Sequence, residues 1–322
     1  MMSNIEIYRK EVLSMEQITF NELTYEWLSC RRLYIKRSTF VKYEAVITKH
    51  IFPYFSVIPL KEIKSQTLMS FFELKIQQEL SYSLLCSIKN ILVSILEYGI
   101  ENYSLRQMNF KQIRFASKVQ AKAILSGSER NKIIRYTRKN RNSLSLAMLL
   151  ALYGGLRLGE ICALKWDDVD FDNQVIKVMG TAVRLKCFDT KDKKTELVIL
   201  PPKSQASYRE VPLSSFLSGY LKRYFDKKGR YLLSNSEKIY EPRRLERQFK
   251  TFCIGNDINC TFHGLRHSFA TACVRSNVEI KALSEILGHS NVSITLNVYV
   301  HTSLEQKKRE IEKLVTPDII VD

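Results

Sequence analysis

The stretch "TFHGLRHSFAT", residues 261–271, sets two histidines and an arginine directly before a run of apolar residues. Thr261 is suited to cap a helix starting near Phe262, because its hydroxyl can accept a first-turn backbone N–H. On that helix His263 and Arg266 are three residues apart, so they emerge together on one face. Donors and a cation at a helix N-terminus are typical of an anion site.

A zinc site is the alternative, because His263 and His267 are four residues apart, as in metalloprotease helices. The residues between them are Gly-Leu-Arg, so the glutamate base is missing and a cation would stand beside the metal. The pattern therefore favours an anion over a metal ion, and we expect no metal and no other cofactor.

A second motif, "GGLRLGEICALKW", occupies residues 154–166. Arg157 and Glu160 are three apart and share a helical face, so the carboxylate can orient the guanidinium fork towards an anion. Gly154 and Gly155 interrupt an apolar helix and let another group approach the backbone. Taken alone, this motif favours a buried structural ion pair.

A third motif, "LGHSNVSITLNVY", occupies residues 287–299. His289 follows Gly288, which is typical of a helix C-cap. Ser293 is predicted to cap a short helix that carries Tyr299. Taken alone, Tyr299 is more typical of a core tyrosine than of a nucleophile.

The chain has 322 residues, a formal net charge of +17 and a pI of about 9.5. Lys and Arg outnumber Asp and Glu by 16 to 11 in residues 1–118 and by 34 to 22 in residues 119–322. A basic surface spread over two folded parts suits a polyanion, and nucleic acid is the most general one. A merely soluble basic protein is the alternative.

The seven cysteines form no CxxC pair, which favours reduced, structural thiols. The first 15 residues lack the apolar core of a signal peptide, and no apolar run approaches the ~18 residues of a membrane span. These features predict a cytoplasmic protein with no membrane partner.

Apolar periodicity predicts four helical segments over residues 17–104. Ser38 or Thr39 would cap the second segment and Pro53 would end it. Residues 105–123 lose this periodicity and are predicted to be a linker. Residues 124–302 combine helices with strands at "QVIKVMG" and "ELVILPPKSQASYREVPL", and residues 303–322 form a tail.

The three motifs, in this order in the last half of the chain, resemble those of the tyrosine recombinases, the phage-integrase family. The segment 17–104 is also similar to that family's helical core-binding domain. The resemblance implies a mainly α fold with a small antiparallel β-sheet: a two-domain C-shaped clamp of a core-binding domain (17–104) and an α+β catalytic domain (124–302).

The resemblance implies a role for each matched residue. Arg157 and Arg266 would clamp the scissile phosphate, with Glu160 as the acidic buttress of Arg157. His263 would serve acid–base chemistry near the nucleophile, His289 would hold the position of the family's His or Trp, and Tyr299 would be the nucleophile.

The family also carries a lysine on a β-hairpin between the first arginine and the histidine. "PPKSQASYREVPL" is similar to the return strand of that hairpin, so Lys203 is expected to protonate the leaving oxygen. Lys186, Lys191, Lys193 and Lys194 are rivals for this role. Lys42, Lys49 and Lys89 on the polar faces of the first domain are candidate DNA contacts.

The function implied is site-specific DNA recombination through a 3′-phosphotyrosyl intermediate and a Holliday junction, in a homotetramer on double-stranded DNA. Only about 16 residues precede the core-binding segment, which favours a simple Xer-like or invertase-type recombinase without an arm-binding domain. The tail at 303–322 is expected to dock on a neighbouring protomer. The need for an accessory directionality factor stays open. A type IB topoisomerase-like enzyme and a catalytically silent DNA-binding protein are the alternatives.

Overall fold

The computed structural model describes residues 18–56, 58–103, 105–116, 124–186, 195–202, 207–224 and 229–299. The chain divides into two compact units, residues 1–120 and 121–322. Helices dominate both, and the described strands form two small antiparallel sheets, so the predicted fold class is confirmed. The helices of the first unit are α1 (Phe20–Arg32), α2 (Arg37–Val46), α3 (Phe52–Phe55), α4 (Ser65–Gln77) and α5 (Tyr82–Tyr103).

The start of α1 is a capping box. The Glu22 backbone N–H donates to the Thr19 hydroxyl, and the Glu22 carboxylate accepts the Thr19 backbone N–H at 2.8 Å. Phe20, Leu23 and Trp27 follow on the buried face of the helix, as the periodicity predicts. Local capping and one apolar stripe therefore account for this helix.

The second helical segment differs from the prediction at both ends. α2 begins at Arg37 with no side-chain cap, so neither Ser38 nor Thr39 caps it. A π-helical turn, Ile47–Ile51, leads from α2 into α3, and Pro53 lies inside α3 instead of ending the helix. The π turn shifts the backbone ladder just before the proline, whose ring and missing N–H disrupt an ordinary α-helical turn.

The helix α5 is long and apolar enough to cross a membrane by length and composition, with a mean hydropathy of 1.4. Its apolar face, including Ile88, Leu92, Ile95 and Leu96, lies in the core of the first unit. Among the described residues it is the one helix that meets this criterion, and its packing is that of a core helix.

The predicted linker at 105–123 begins too early. Leu105 and Ile113 are each only 6% exposed and belong to the core of the first unit. Residues 105–116 contain a single 3₁₀ turn, so their apolar side chains reach the core without a helical period that the sequence would show. The first unit thus extends past 104, and residues 117–123 lie outside the described ranges.

The second unit contains the remaining elements. Its helices are α6 (Gly127–Lys139), α7 (Ser143–Gly154), α8 (Leu158–Ala163), α9 (Ser215–Tyr224), α10 (Pro242–Ile254), α11 (Phe262–Arg275), α12 (Ile280–Leu287) and α13 (Val292–Tyr299). Its strands are β1 (Val169–Asp170), β2 (Val175–Val178), β3 (Thr181–Lys186), β4 (Thr195–Leu200) and β5 (Arg209–Pro212).

The strands form two antiparallel sheets, one with the order β1-β2-β5 and one a β3-β4 hairpin in which Thr181 pairs with Leu200. β3 was not predicted as a strand. The return strand of the hairpin is β4, at the start of the predicted strand stretch "ELVILPPKSQASYREVPL". The segment "PPKSQASYREVPL", predicted to be that return strand, instead supplies β5 to the other sheet. Lys203, Lys191, Lys193 and Lys194 lie outside the described residues.

The centre of the second unit is α7, which is buried on nearly every side. A helix that is apolar all round belongs inside a core, and α6, α8 and α11 pack around this one. It ends at Gly155, whose φ of 64° is left-handed. A Cβ on Gly155 would lie 2.6 Å from the ring of Phe269 on α11. Glycine therefore ends α7 and also lets α11 approach it.

We predict that Gly155→Ala destabilises the second unit by about 2 kcal/mol, because alanine would be strained at this φ and would overlap Phe269. Gly154→Ala is the matched control, since its Cβ would meet nothing closer than 3.7 Å. Urea unfolding followed by circular dichroism measures both variants. Equal midpoints for the two would contradict this account of the turn.

Candidate active site

Three arginines converge on the C-terminal end of α12. The backbone carbonyls of residues 286, 287 and 288 accept hydrogen bonds from Arg209 at 2.6 Å, Arg266 at 2.5 Å and Arg157 at 3.1 Å, respectively. The last carbonyls of a helix have no partner within it, and this end carries the negative pole of the helix dipole. The helix end therefore attracts and spaces three cations that lie far apart in the sequence.

Glu160 completes this cluster. Its carboxylate accepts from the Arg157 guanidinium at 2.7 Å and from the Arg209 guanidinium at 2.9 and 3.1 Å. Burial alone would raise the pKa of Glu160, but the hydrogen bond and charge of Arg209 and the charge of Arg157 outweigh it, so this pKa lies below its usual value. Glu160 is thus an ionised partner of Arg157 and also of Arg209.

Arg209 is a residue that the sequence analysis missed. It is the first residue of β5, its side chain is 5% exposed, and both of its terminal nitrogens bind Glu160. No spacing in the sequence links it to Glu160, 49 positions earlier. The Arg157 side chain, by contrast, is 35% exposed, so it is open to a ligand.

Arg266 is almost fully enclosed, at 2% exposure. Besides the carbonyl at the end of α12, it donates to the carbonyl of Gly155 at 2.6 Å. Burial, followed by the nearby charge of Arg157, lowers the pKa of Arg266 to about 9. The side chain is therefore still a cation at neutral pH, and it is held by carbonyls at the two glycine turns, Gly155 and Gly288, both of which have a left-handed φ.

His289 lies beside this guanidinium, with Nε2 3.2 Å from Arg266 and Nδ1 2.8 Å from the Thr295 hydroxyl. Burial, and then the charges of Arg266 and Arg157, lower the pKa of His289 to about 4. The ring is neutral at neutral pH, so Nε2 accepts from Arg266 and Nδ1–H donates to Thr295.

Tyr299 ends α13. Asn291, not Ser293 as predicted, caps this helix: its side-chain oxygen accepts the Ser293 N–H at 2.8 Å. The Tyr299 side chain is half-buried, and its hydroxyl lies 2.5 Å from Nδ1 of His267. Burial raises the pKa of Tyr299, while the charges of Arg266 and Arg157 act in the opposite direction. The phenol of Tyr299 is therefore close enough to Arg266 and Arg157 for their charges to act on it.

His263 and His267 occupy successive turns of α11, which Thr261 caps as predicted by accepting the Gly264 N–H at 3.1 Å. His263 is exposed, and its ring meets the His267 ring edge to face at 4.6 Å. His267 is only 7% exposed and was not predicted as a site residue. Within the described ranges, no three His, Cys, Asp or Glu side chains cluster as a metal site.

The candidate DNA contacts of the first unit differ in their surroundings. Lys42 and Lys49 are exposed. Lys89 is half-buried, and its ammonium donates to the carbonyl of Ile113. It therefore fastens the segment 105–116 to the first unit, a structural task that its position on a predicted polar face did not indicate.

Two family models match the chain. The phage integrase family matches residues 120–306, and the N-terminal SAM-like domain of phage integrases matches residues 19–74. The first match covers more than half of the chain, which therefore belongs to the phage integrase family.

Similar proteins agree with this assignment. A tyrosine recombinase XerC-like protein of Caldanaerobacter subterraneus subsp. tengcongensis is 28% identical over 94% of this chain and 84% of its own length. The tyrosine recombinase XerA of Thermococcus kodakarensis is 31% identical over 52% of this chain and 54% of its own length. Several other curated relatives are likewise matched over little more than half their length. By family the chain is a tyrosine recombinase.

Solved structures share the fold. The integrase of transposon Tn1549 in complex with a circular intermediate DNA has a TM-score of 0.74 at 19% identity, over 93% of this chain and 100% of that one. A lambda integrase tetramer bound to a Holliday junction has a TM-score of 0.66 at 17% identity, over 93% of this chain and 81% of that one.

We predict that Glu160→Gln destabilises the second unit by roughly 3 kcal/mol, because it leaves two clustered guanidiniums without their counter-charge. Glu241→Gln is the matched control, since Glu241 pairs with Arg184 where both side chains are about a quarter exposed. The Glu241→Gln variant should lose less than about 1 kcal/mol of its free energy of unfolding. Urea denaturation measures both losses, and a control variant that loses as much as Glu160→Gln would contradict the special role of the buried carboxylate.

Proposed function

We propose that this recombinase cleaves and rejoins DNA at specific sites through a covalent 3′-phosphotyrosyl link to Tyr299. The observation that carries the proposal is the convergence of Arg157, Arg209 and Arg266 on the end of α12, with the half-buried Tyr299 within the influence of the charges of Arg266 and Arg157. The cluster has an excess of positive charge, which suits one phosphodiester.

The arginines would stabilise the charge that develops on the non-bridging phosphate oxygens. Arg157 is the exposed member and would meet the phosphate directly, whereas Arg209 would act through Glu160. The charge of Arg266 would stabilise a nearby anion more strongly than an exposed charge does, because Arg266 is almost fully buried. The guanidiniums are already held in place by backbone carbonyls and Glu160, so they need not rearrange when negative charge develops on the phosphate oxygens.

The two histidines of the family pattern would act beside the arginines. His289 is neutral in the DNA-free site, and a phosphate near Arg266 would favour its protonation and let it donate. His263 is exposed on the same helix as Arg266 and is a candidate for acid–base work at the phosphate. Lys203 is the candidate acid for the leaving 5′-oxygen. A phosphotyrosyl ester keeps the energy of the bond, so rejoining needs no nucleotide cofactor.

Recombination further requires assembly on DNA. We propose a homotetramer that exchanges strands through a Holliday junction; the solved lambda integrase tetramer on such a junction, which shares the fold, supports it. Lys42 and Lys49 of the first unit would contact the backbone of the double-stranded recombination sites. The tail 303–322 would dock on a neighbouring protomer, and an accessory directionality factor would act, if at all, on this assembly.

We predict that Tyr299→Phe abolishes covalent cleavage and leaves DNA binding intact, because it removes one oxygen atom and keeps the ring. Selection from a pool of random duplexes supplies the binding site, and a nick beside it gives a suicide substrate, here called the selected nicked duplex. Wild type should form an adduct at the 3′-phosphate that survives denaturant and disappears with protease. Tyr208→Phe, at an exposed tyrosine, is the matched control and should form the adduct normally. An adduct that persists in Tyr299→Phe would refute the proposed function.

We predict that Lys203→Ala slows cleavage about 100-fold without weakening binding, since its proposed task is to protonate the leaving oxygen. A 5′-bridging phosphorothiolate has a leaving group that needs no proton, so this substrate should restore the rate. Alanine variants of Lys186, Lys191, Lys193 and Lys194 are the comparisons. If the phosphorothiolate restores the rate of one of these variants and not of Lys203→Ala, that lysine is the acid that protonates the leaving oxygen.

A further inference from the structure

Within the described part of the chain, the hydroxyl of Tyr299 has one hydrogen-bond partner, the imidazole of His267. The distance from the hydroxyl to Nδ1 is 2.5 Å, and the two ring centres are 5.5 Å apart. His267 is only 7% exposed and Tyr299 is half-buried. The imidazole is therefore the group that lies within hydrogen-bond distance of the phenolic proton, on the buried side of the contact.

The backbone that carries His267 is rigidly placed. α11 packs along the buried helix α7, and Arg266, the preceding residue, is bound to carbonyls at both glycine turns. α13 reaches α11 and α12 and presents Tyr299 to them. A proton acceptor on a fixed element keeps its geometry through the reaction, which loop residues do less well.

The charged groups around this contact favour loss of the phenolic proton. The charges of Arg266 and Arg157 act on Tyr299 and favour its phenolate. The packed helices add few other charges here: Tyr299 is the titratable residue of α13, and Tyr153, at the end of α7, packs on Phe216. The charges of α12, Lys281 and Glu285, are exposed, and α10 meets α11 through apolar rings such as Phe249.

His263 is placed differently from His267. Its ring contacts the edge of the His267 ring at 4.6 Å, and its side chain is exposed to solvent. Of the two histidines, His267 is therefore the one that forms a hydrogen bond with the hydroxyl of Tyr299. This contact assigns His267 a place in the chemistry that the family motifs did not give it.

We propose that Nδ1 of His267 accepts the phenolic proton of Tyr299 as the tyrosine attacks DNA, which makes His267 a catalytic residue. The inference rests on the proposed function. In the forward step the Tyr299 oxygen–phosphorus bond forms, the phosphorus–5′-oxygen bond breaks, and the phenolic proton moves to His267. The 5′-oxygen takes its proton from a separate acid, for which Lys203 is the candidate. In the rejoining step the 5′-oxygen–phosphorus bond forms, the bond from phosphorus to the Tyr299 oxygen breaks, the proton of the 5′-hydroxyl returns to the separate acid, and His267 returns its proton to the departing tyrosine.

The test replaces His267 with asparagine, whose side-chain oxygen lies near the position of Nδ1 but does not titrate. On the selected nicked duplex, His267→Asn should form adduct about 100-fold more slowly than wild type at neutral pH. The rate of wild type should fall as acid protonates the acceptor, and this acidic limb should be absent in His267→Asn. Thermal melting and DNA binding are measured in parallel, and His267→Gln replaces His267→Asn if the latter does not melt as wild type does.

A second measurement separates proton transfer from packing. A ring-fluorinated tyrosine at position 299 has a more acidic phenol and depends less on a base. It should accelerate His267→Asn at least ~10-fold more than it accelerates wild type. The 5′-bridging phosphorothiolate should not rescue His267→Asn, because the defect lies at the nucleophile. His263→Asn is the matched comparison from the same helix: it should not show the selective response to fluorination.

Two outcomes would overturn the inference: adduct formation by His267→Asn within threefold of wild type, or equal acceleration of both proteins by the fluorinated tyrosine. Either result would leave His267 as a packing residue. The proposed function fails separately, if wild type forms no adduct or if Tyr299→Phe still forms it. An inactive Tyr299→Phe beside a fully active His267→Asn would therefore refute the inference alone.

Discussion

The candidate active site of the second unit depends on the C-terminal end of α12. Three successive carbonyls at residues 286–288 each bind one arginine, and the arginines come from α11, β5 and the turn before α8. Like charges at this spacing repel, so they stay together only because the helix dipole, the open carbonyls and Glu160 offset the repulsion. The site is thus built before any DNA arrives.

Two glycines make this arrangement possible. Gly155 and Gly288 both adopt left-handed φ values, 64° and 61°, and end α7 and α12. Each turn leaves a carbonyl that an arginine binds: the Gly155 carbonyl binds Arg266, and the Gly288 carbonyl binds Arg157. The turns therefore terminate helices and position the cations at once. Because a left-handed turn with a Cβ is strained, the backbone and the electrostatics of the site are specified together.

The environments of four titratable groups are consistent with the proposed phosphoryl transfer. Glu160 stays ionised, Arg266 stays a cation despite its burial, and His289 is neutral until a negative charge approaches. Tyr299 keeps its proton in the free protein because burial raises its pKa. A bound phosphate would supply a negative charge that alters these protonation balances. The SAM-like first unit, with exposed lysines such as Lys42 and Lys49, is a separate fold with its own apolar core.

The sequence by itself determined the family, the helical character of both units and most of the candidate site. Thr261 and Gly288 are recognisable as caps from the local sequence, and Gly155 as an interruption of an apolar helix. Arg157 and Glu160 meet because they are three residues apart across the start of α8. Contacts between residues that lie far apart in the sequence were decided only by the tertiary structure. Arg209 reaches Glu160 from 49 positions away, His267 reaches Tyr299 from 32, and Lys89 binds Ile113 instead of remaining free. Residues 105–116 join the first core without a helical period, and Pro53 is accommodated by a π turn. Local rules capture hydrogen bonds within one turn, whereas these contacts exist only once separate elements have packed.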